Sequence, residues 1–209
     1  MYWCTRENMV VVISGPSGVG KDAVIRKLKE AGRGNRHYAV TATTRAKRSY
    51  EKEGVDYYFL SEEDFQAGID KADFLEWALV YGNYYGVPKG QIDQALSEKK
   101  DVIIKTDVQG AETIKQIVPD GVFIFVAPSS DIELRKRLGR RGQEPDDNYQ
   151  LRLAMSMEEL KQIPHFNYVV INEEGMLDRT AEQVEAIIEA EKCRVVLRED
   201  RPVERWDSR

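Results

Sequence analysis

The chain has 209 residues, 42% hydrophobic and 32% charged, with a formal net charge of −5 and a pI near 5.3. This composition fits one ordinary globular unit, and the acidic balance argues against a general nucleic-acid binder, which carries a basic excess. Two cysteines near opposite ends, Cys4 and Cys193, and two histidines, His37 and His165, exclude a usual zinc cluster and argue against a disulfide framework.

At the N-terminus, "MYWCTREN" has no apolar signal-peptide core, and no apolar run in the chain approaches the roughly 20 residues that span a bilayer. The expectation is a cytoplasmic protein with no membrane or nucleic-acid partner, monomer or homodimer. "MVVVI", residues 9–13, is a continuous β-branched run that ends at Ser-Gly-Pro and reads as a buried parallel strand. "KDAVIRKLKEAG" follows, a helix with apolar Ala23, Val24, Ile25 and Leu28 and a stop at Gly32.

Residues 38–87 break this rhythm with short aromatic, strand-like pieces, "HYAVTAT", "VDYYFLS" and "FLEWALVYGNYYG", around a helix that Ser61 caps ahead of "EEDFQAG". Strand then helix returns in "DVIIKT" with "DVQGAETIKQIV", in "GVFIFVA" with "SSDIELRKRL", and in "YVVIN" with "LDRTAEQVEAIIEAEK". Such alternation predicts an α/β fold, a five-stranded parallel sheet flanked by helices. Residues 138–150, "LGRRGQEPDDNYQ", read as a mobile loop, and the charged tail "REDRPVERWDSR" as a frayed end on which Trp206 is able to dock.

The chemistry starts at "SGPSGVGKDAV". A strand, a G-x-x-x-x-G-K loop and a helix in this order form a phosphate-binding loop: backbone N–H groups and the helix dipole cradle the phosphates, and Lys21 reaches the β and γ phosphates. Gly15, Pro16, Ser17, Gly18, Val19, Gly20 and Lys21 are therefore candidate ATP-binding residues. Position 22 ordinarily holds a Ser or Thr whose hydroxyl sits on Mg²⁺; this chain has Asp22, a carboxylate able to ligate the metal itself.

A second substrate is indicated by "TATTRAKRSYEKEGVDYYF". Arg45, Arg48 and Tyr57 suit a dianionic phosphate, although alone they fit a solvated charged loop equally well. Glu76, a carboxylate within an aromatic strand, tips the balance, because an unpaired charge there is costly. Guanine, whose N1–H and N2 amino group form a donor pair, is a ready partner for it.

With "SGPSGVGK", "TTRAKR", "GVDYYF", "FLEWA", "GNYYG", "DVQG", "FIFVAP", "RKRLGRRG" and "YVVIN", the chain resembles the guanylate kinase family from about Val10 to Glu191. The resemblance implies a P-loop NTPase-type core over 1–37, 88–137 and 153–195, a GMP-binding insertion at 38–87, a mobile lid at 138–152 and a charged tail at 196–209. It implies that Arg45, Arg48, Tyr57 and Tyr85 hold the GMP phosphate and that Thr41, Glu76 and Asp107 read the guanine end. Arg137, Arg141 and Arg152 are implied to embrace the ATP phosphates, with Asn172 near the adenine. The implied reaction is transfer of the γ-phosphoryl group of ATP to GMP, and to dGMP as well, with Mg²⁺; Lys21, Arg45, Arg137, Arg141 and Arg152 supply the catalytic charge.

Three residues depart from the family pattern: Asp22 in the loop, Val87 where a small hydroxyl residue usually touches guanine, and Lys105 where an aspartate usually stands two positions before Asp107. A carboxylate gained at 22 and one exchanged for an ammonium at 105 suggest a compensating pair, the alternative being independent drift in a weakened enzyme. Two other functions compete. A ribose bisphosphate kinase also carries Gly-Lys-Asp in its loop, but its acceptor has no purine to explain Glu76 and Asp107. A non-catalytic guanylate-kinase-like binding module typically lacks the loop lysine.

Overall fold

The computed structural model describes residues 3–4, 6, 8–80, 82–140 and 146–197. In chain order the elements are β1 (Trp3–Cys4), β2 (Val10–Ser14), α1 (Lys21–Ala31), β3 (Arg36–Tyr38), β4 (Thr41–Thr43), β5 (Tyr57–Phe59), α2 (Glu62–Asp70), β6 (Phe74–Val80), β7 (Asn83–Pro88) and α3 (Lys89–Ser97). They continue with β8 (Asp101–Lys105), α4 (Val108–Ile117), β9 (Val122–Ala127), α5 (Asp131–Arg140), α6 (Asp146–Leu160), a 3₁₀ turn at Ile163–His165, β10 (Tyr168–Ile171), α7 (Leu177–Lys192) and β11 (Val196–Leu197).

The expected α/β architecture is present. Five strands in the order β10-β9-β2-β8-β3 pair in parallel throughout. β2 lies in the middle and is buried along its whole length, which is why its sequence is a continuous apolar run rather than an alternating one. Successive side chains leave opposite faces of the sheet. Val11 and Ile13 pack with Val24 and Leu28 of α1 and Val184 and Ile188 of α7, whereas Val10 and Val12 pack with Ile92 of α3 and Ile114 of α4.

The fifth strand comes from an unexpected place. "HYAVTAT" reads as one strand-like piece of the insertion, yet it is split between two sheets: Arg36–Tyr38 forms β3 at the edge of the parallel sheet, and Thr41–Thr43 forms β4 of a second one. The crossover is held by Gln91 of α3. Its side-chain amide accepts from Val40 N–H and donates to Val40 C=O, both at 2.8 Å, replacing the ladder bonds that neither sheet supplies there.

The second sheet, in the order β5-β4-β7-β6, is mixed: β4 pairs in parallel with β5 and antiparallel with β7, and β6 and β7 form a hairpin. Its small core is Ala42, Phe65 and Phe74, with the two phenyl rings stacked at 4.4 Å. Ser61 caps α2 as expected, accepting from Asp64 N–H at 3.0 Å.

The stretch read as a loop over 138–150 is helical wherever it is described: α5 runs on to Arg140 and α6 begins at Asp146. Its polar, glycine-containing composition hides an apolar stripe of helical spacing. Leu134, Leu138 and Leu153 are buried together, with Tyr149, Met157 and Leu160 packed against them.

Candidate active site

β2 and β8 are neighbours, with Ile13 opposite Lys105, so the chain leaving β2 through the phosphate loop and the chain leaving β8 toward Asp107 emerge side by side. Most of the candidate residues gather at this edge, where open parallel sheets bind ligands.

The loop after Ser14 turns through Gly15 at φ 137°, where an added Cβ would fall 2.2 Å from Val126 O, so no side chain fits. Behind the loop, Val19 C=O accepts from Asn172 Nδ2 at 2.7 Å and from Arg137 Nη1 at 2.8 Å. Arg137 also donates to Asn172 C=O at 2.7 Å and pairs with Glu133, while Asn172 Oδ1 accepts from Thr180 at 3.1 Å. Arg137 and Asn172, implied respectively to embrace phosphates and to lie near adenine, thus brace the loop from behind.

Lys21 folds back onto the loop, donating to Gly15 C=O and, at 3.1 Å, to Pro16 C=O. Burial lowers its pKa, against the opposing pull of Glu159, Asp22 and Asp107. Ser17 N–H, one of the loop's own donors, is bonded to Glu159 Oε2 of α6 at 3.2 Å. Nothing in the sequence reading singled out Glu159, which lies 142 positions away.

Asp22 and Lys105 pair, with Nζ to Oδ1 at 2.5 Å. The Asp22 side chain is 61% exposed and that of Lys105 is 17% exposed, so the carboxylate is open to solvent while the ammonium is largely buried. Lys105 also donates to the Tyr57 hydroxyl at 3.1 Å and lies 4.5 Å from that ring's centre. Burial would lower the Lys105 pKa, but Asp22 and Tyr57 outweigh it and hold the ammonium above its ordinary range. Lys105 therefore ties the start of α1 to the second sheet.

On that sheet, Arg45 donates to Glu51 Oε1 at 2.7 Å and lies over the rings of Tyr57 and Phe59. Tyr85 meets Tyr57 edge to face at 6.2 Å. Glu51 Oε2 accepts from Arg48 N–H at 2.9 Å, and the Arg48 guanidinium reaches the Tyr50 hydroxyl at 3.2 Å. Buried Glu51 thus holds the Arg45 guanidinium and the Arg48 backbone, and burial notwithstanding, Arg45 and Arg48 hold its carboxyl below the usual range.

Glu76 is buried at the back of the same cleft. Its Oε1 accepts from Thr106 Oγ1 at 3.0 Å, and burial together with the Asp107 carboxylate pushes its pKa up to about 8. Asp107 caps α4, accepting from Gly110 N–H at 2.8 Å. Gly110 makes room for Glu76, since a Cβ there would sit 2.6 Å from Glu76 Oε2. Thr41 is buried nearby and donates to Lys105 C=O at 3.4 Å. Val87, in contrast, is fully buried in the core cluster with Leu75 and Ile92. Arg152 lies on α6, and Arg141 falls outside the described residues.

A family model described as guanylate kinase matches residues 7–191. The chain belongs to the guanylate kinase family. It is 47% identical over 188 residues to "Guanylate kinase 2, chloroplastic/mitochondrial" of Oryza sativa subsp. japonica, covering 90% of this chain and 66% of that protein. It is 44% identical over 190 residues to the guanylate kinase of Caldanaerobacter subterraneus subsp. tengcongensis, covering 91% of each. The crystal structure of guanylate kinase from Anaplasma phagocytophilum superposes with a TM-score of 0.74 at 30% identity, covering 93% of this chain and 92% of that one. In this member of the family the Asp22–Lys105 pair, with Tyr57, joins the start of α1 to the second sheet.

Among the described residues no helix is long and apolar enough to cross a membrane. Nor does any group of three or more His, Cys, Asp or Glu there suit a metal ion. A Mg²⁺ arriving with ATP needs no such cage, because Mg²⁺ is usually held by one or two carboxylates together with phosphates and water. The exposed Asp22 carboxylate beside Lys21 fits that role.

Proposed function

We propose that the chain transfers the γ-phosphoryl group of ATP to GMP, giving ADP and GDP, with dGMP as a second acceptor and the cytoplasm as its place of work. The observation that carries this reading is the convergence of three groups on one cleft. The phosphate loop leaves β2, buried Glu76 reaches from the second sheet to Thr106 just past the end of neighbouring β8, and Lys105 spans the gap between Asp22 and Tyr57.

The attacking group is a phosphate oxygen already ionised at neutral pH, so no Ser, Cys or His nucleophile is needed. The difficulty is to bring two polyanions into line and keep water out. Arg45, Arg48, Tyr57 and Tyr85 hold the GMP phosphate, with Glu51 fixing the Arg45 guanidinium and the Arg48 backbone. Thr41, Glu76 and Asp107 read the guanine. Lys21 and the loop N–H groups hold the ATP phosphates; Arg137, braced behind the loop, and Arg152 on α6 add positive charge, and the family resemblance implies the same of Arg141. Bound Mg²⁺ supplies charge neutralisation on the ATP phosphates, and Asp22 is the residue to hold it.

Nucleotide consumption with GMP, AMP, UMP or ribose 1,5-bisphosphate as acceptor tests this reading. Turnover with GMP and dGMP is expected. A preference for the ribose bisphosphate would make the chain a phosphosugar kinase, and no turnover with any acceptor would leave only a binding module.

A further inference from the structure

The phosphate loop finds partners for its polar groups within the protein. Its lysine bonds to the carbonyls of Gly15 and Pro16, Val19 N–H closes a turn onto Pro16 C=O, and Ser17 N–H bonds to Glu159. The last of these is the unusual one. Loop N–H groups of this kind are aimed at phosphate oxygens, and here one of them meets an oxyanion supplied by the protein, close enough to Lys21 for the two charges to influence each other.

We infer that Glu159 is a positioning residue whose carboxylate takes the place of an ATP phosphate oxygen at Ser17 N–H and must withdraw when ATP binds, so that loop occupancy moves α6. This rests on the proposed binding of a nucleoside triphosphate by the loop. Arg152 and Glu159 are seven positions apart on α6, close to two turns of an α-helix, and so share a face. Incoming phosphates attract the first and repel the second, and because the two forces act in opposite senses at points two turns apart on one face, they tilt the helix. Glu159 is also suited to leaving. Burial raises its pKa, and Asp107 adds to this, while only Lys21 and the Ser17 N–H favour its charged form.

The test uses the full chain, with Glu159→Gln as the isosteric variant, Glu159→Ala as the truncated one and thermal melts to establish that each folds. Calorimetric titration with ATP, without acceptor, should show about tenfold tighter binding in both variants, because a repelling charge a few ångströms from the phosphates is gone. GMP affinity should stay unchanged. In nucleotide-free protein the Ser17 amide resonance should shift in both variants, a change that a merely structural role elsewhere on α6 would not produce. ATP affinity that is unchanged or weaker in both variants overturns the inference. Failure of the unaltered protein to bind ATP overturns the functional reading as well, so the two failures are distinguishable.

Discussion

The two halves of the cleft are prepared for their ligands in opposite ways. On the loop side the donors are already spent on the protein itself: Lys21 on loop carbonyls and Ser17 N–H on Glu159. On the insertion side the groups are set out in advance, with the Arg45 guanidinium and the Arg48 backbone held by Glu51, and the Glu76 carboxyl held by Thr106 in space that Gly110 leaves open. Binding ATP is therefore an exchange of partners. Binding GMP is the filling of a prepared site, with one proton to remove.

The sharpest way to break this contrast is to remove the prepared phosphate clamp. Arg45→Ala should lower kcat/KM for GMP by roughly 10²- to 10³-fold, since a positioned guanidinium contributes alignment as well as charge, with ATP affinity kept. Glu51→Gln should follow it in the same direction to a smaller extent. Unchanged steady-state kinetics in both would return this stretch to a solvated loop.

Glu76 comes next. With burial and Asp107 pushing its pKa up to about 8, it is mainly the neutral acid at pH 7, whereas accepting both guanine donors requires the carboxylate. GMP affinity should therefore rise about tenfold per unit as pH increases toward 8 and level off above it. Glu76→Gln should weaken GMP by roughly 1 to 3 kcal/mol at pH 8 and abolish this part of the slope. Comparison with the variant cancels titration of the GMP phosphate itself. Stability has a matching sign. The folded pKa is raised above the ordinary 4.5, so the native state binds the extra proton and stability falls as pH rises from about 4.5 to about 8. Glu76→Gln should flatten that fall in thermal melts.

The Asp22–Lys105 pair joins the two halves, and its effect should be smaller because Asp22 is largely exposed. A double-mutant cycle of Asp22→Ser and Lys105→Asp should give a coupling of about 0.5 to 1 kcal/mol in stability. In kcat, each single change should hurt and the double variant should recover activity. Simple additivity would make the two residues independent drift. Smallest and most local, Ser61→Ala should cost about 1 kcal/mol through the lost cap of α2, without altering either nucleotide affinity.

Much of the scaffold was legible because its signals are local. The buried run ahead of the loop, the glycines of the loop, the Gly32 stop and the Ser61 cap each follow from a few adjacent residues. The Asp22–Lys105 contact was legible too, since two charge departures at the ends of neighbouring elements point at each other. The division of "HYAVTAT" between two sheets was not, because it depends on Gln91 of a helix some fifty positions later bridging Val40. Glu51 looked like one charge among many in "RSYEKEG", and only folding turns it inward to the arginines. Glu159 sits in a polar helix with ordinary spacing, and its meaning arises from an amide at the other end of the chain.

In the proposed reaction one phosphoryl group crosses directly between two nucleotides. Following the γ-phosphoryl label of ATP in the presence of GMP tests it most directly. The label should appear on the β-phosphate of GDP in step with ADP formation, with little released as inorganic phosphate. Label found mainly in inorganic phosphate, or ADP formed without GDP, would contradict the account.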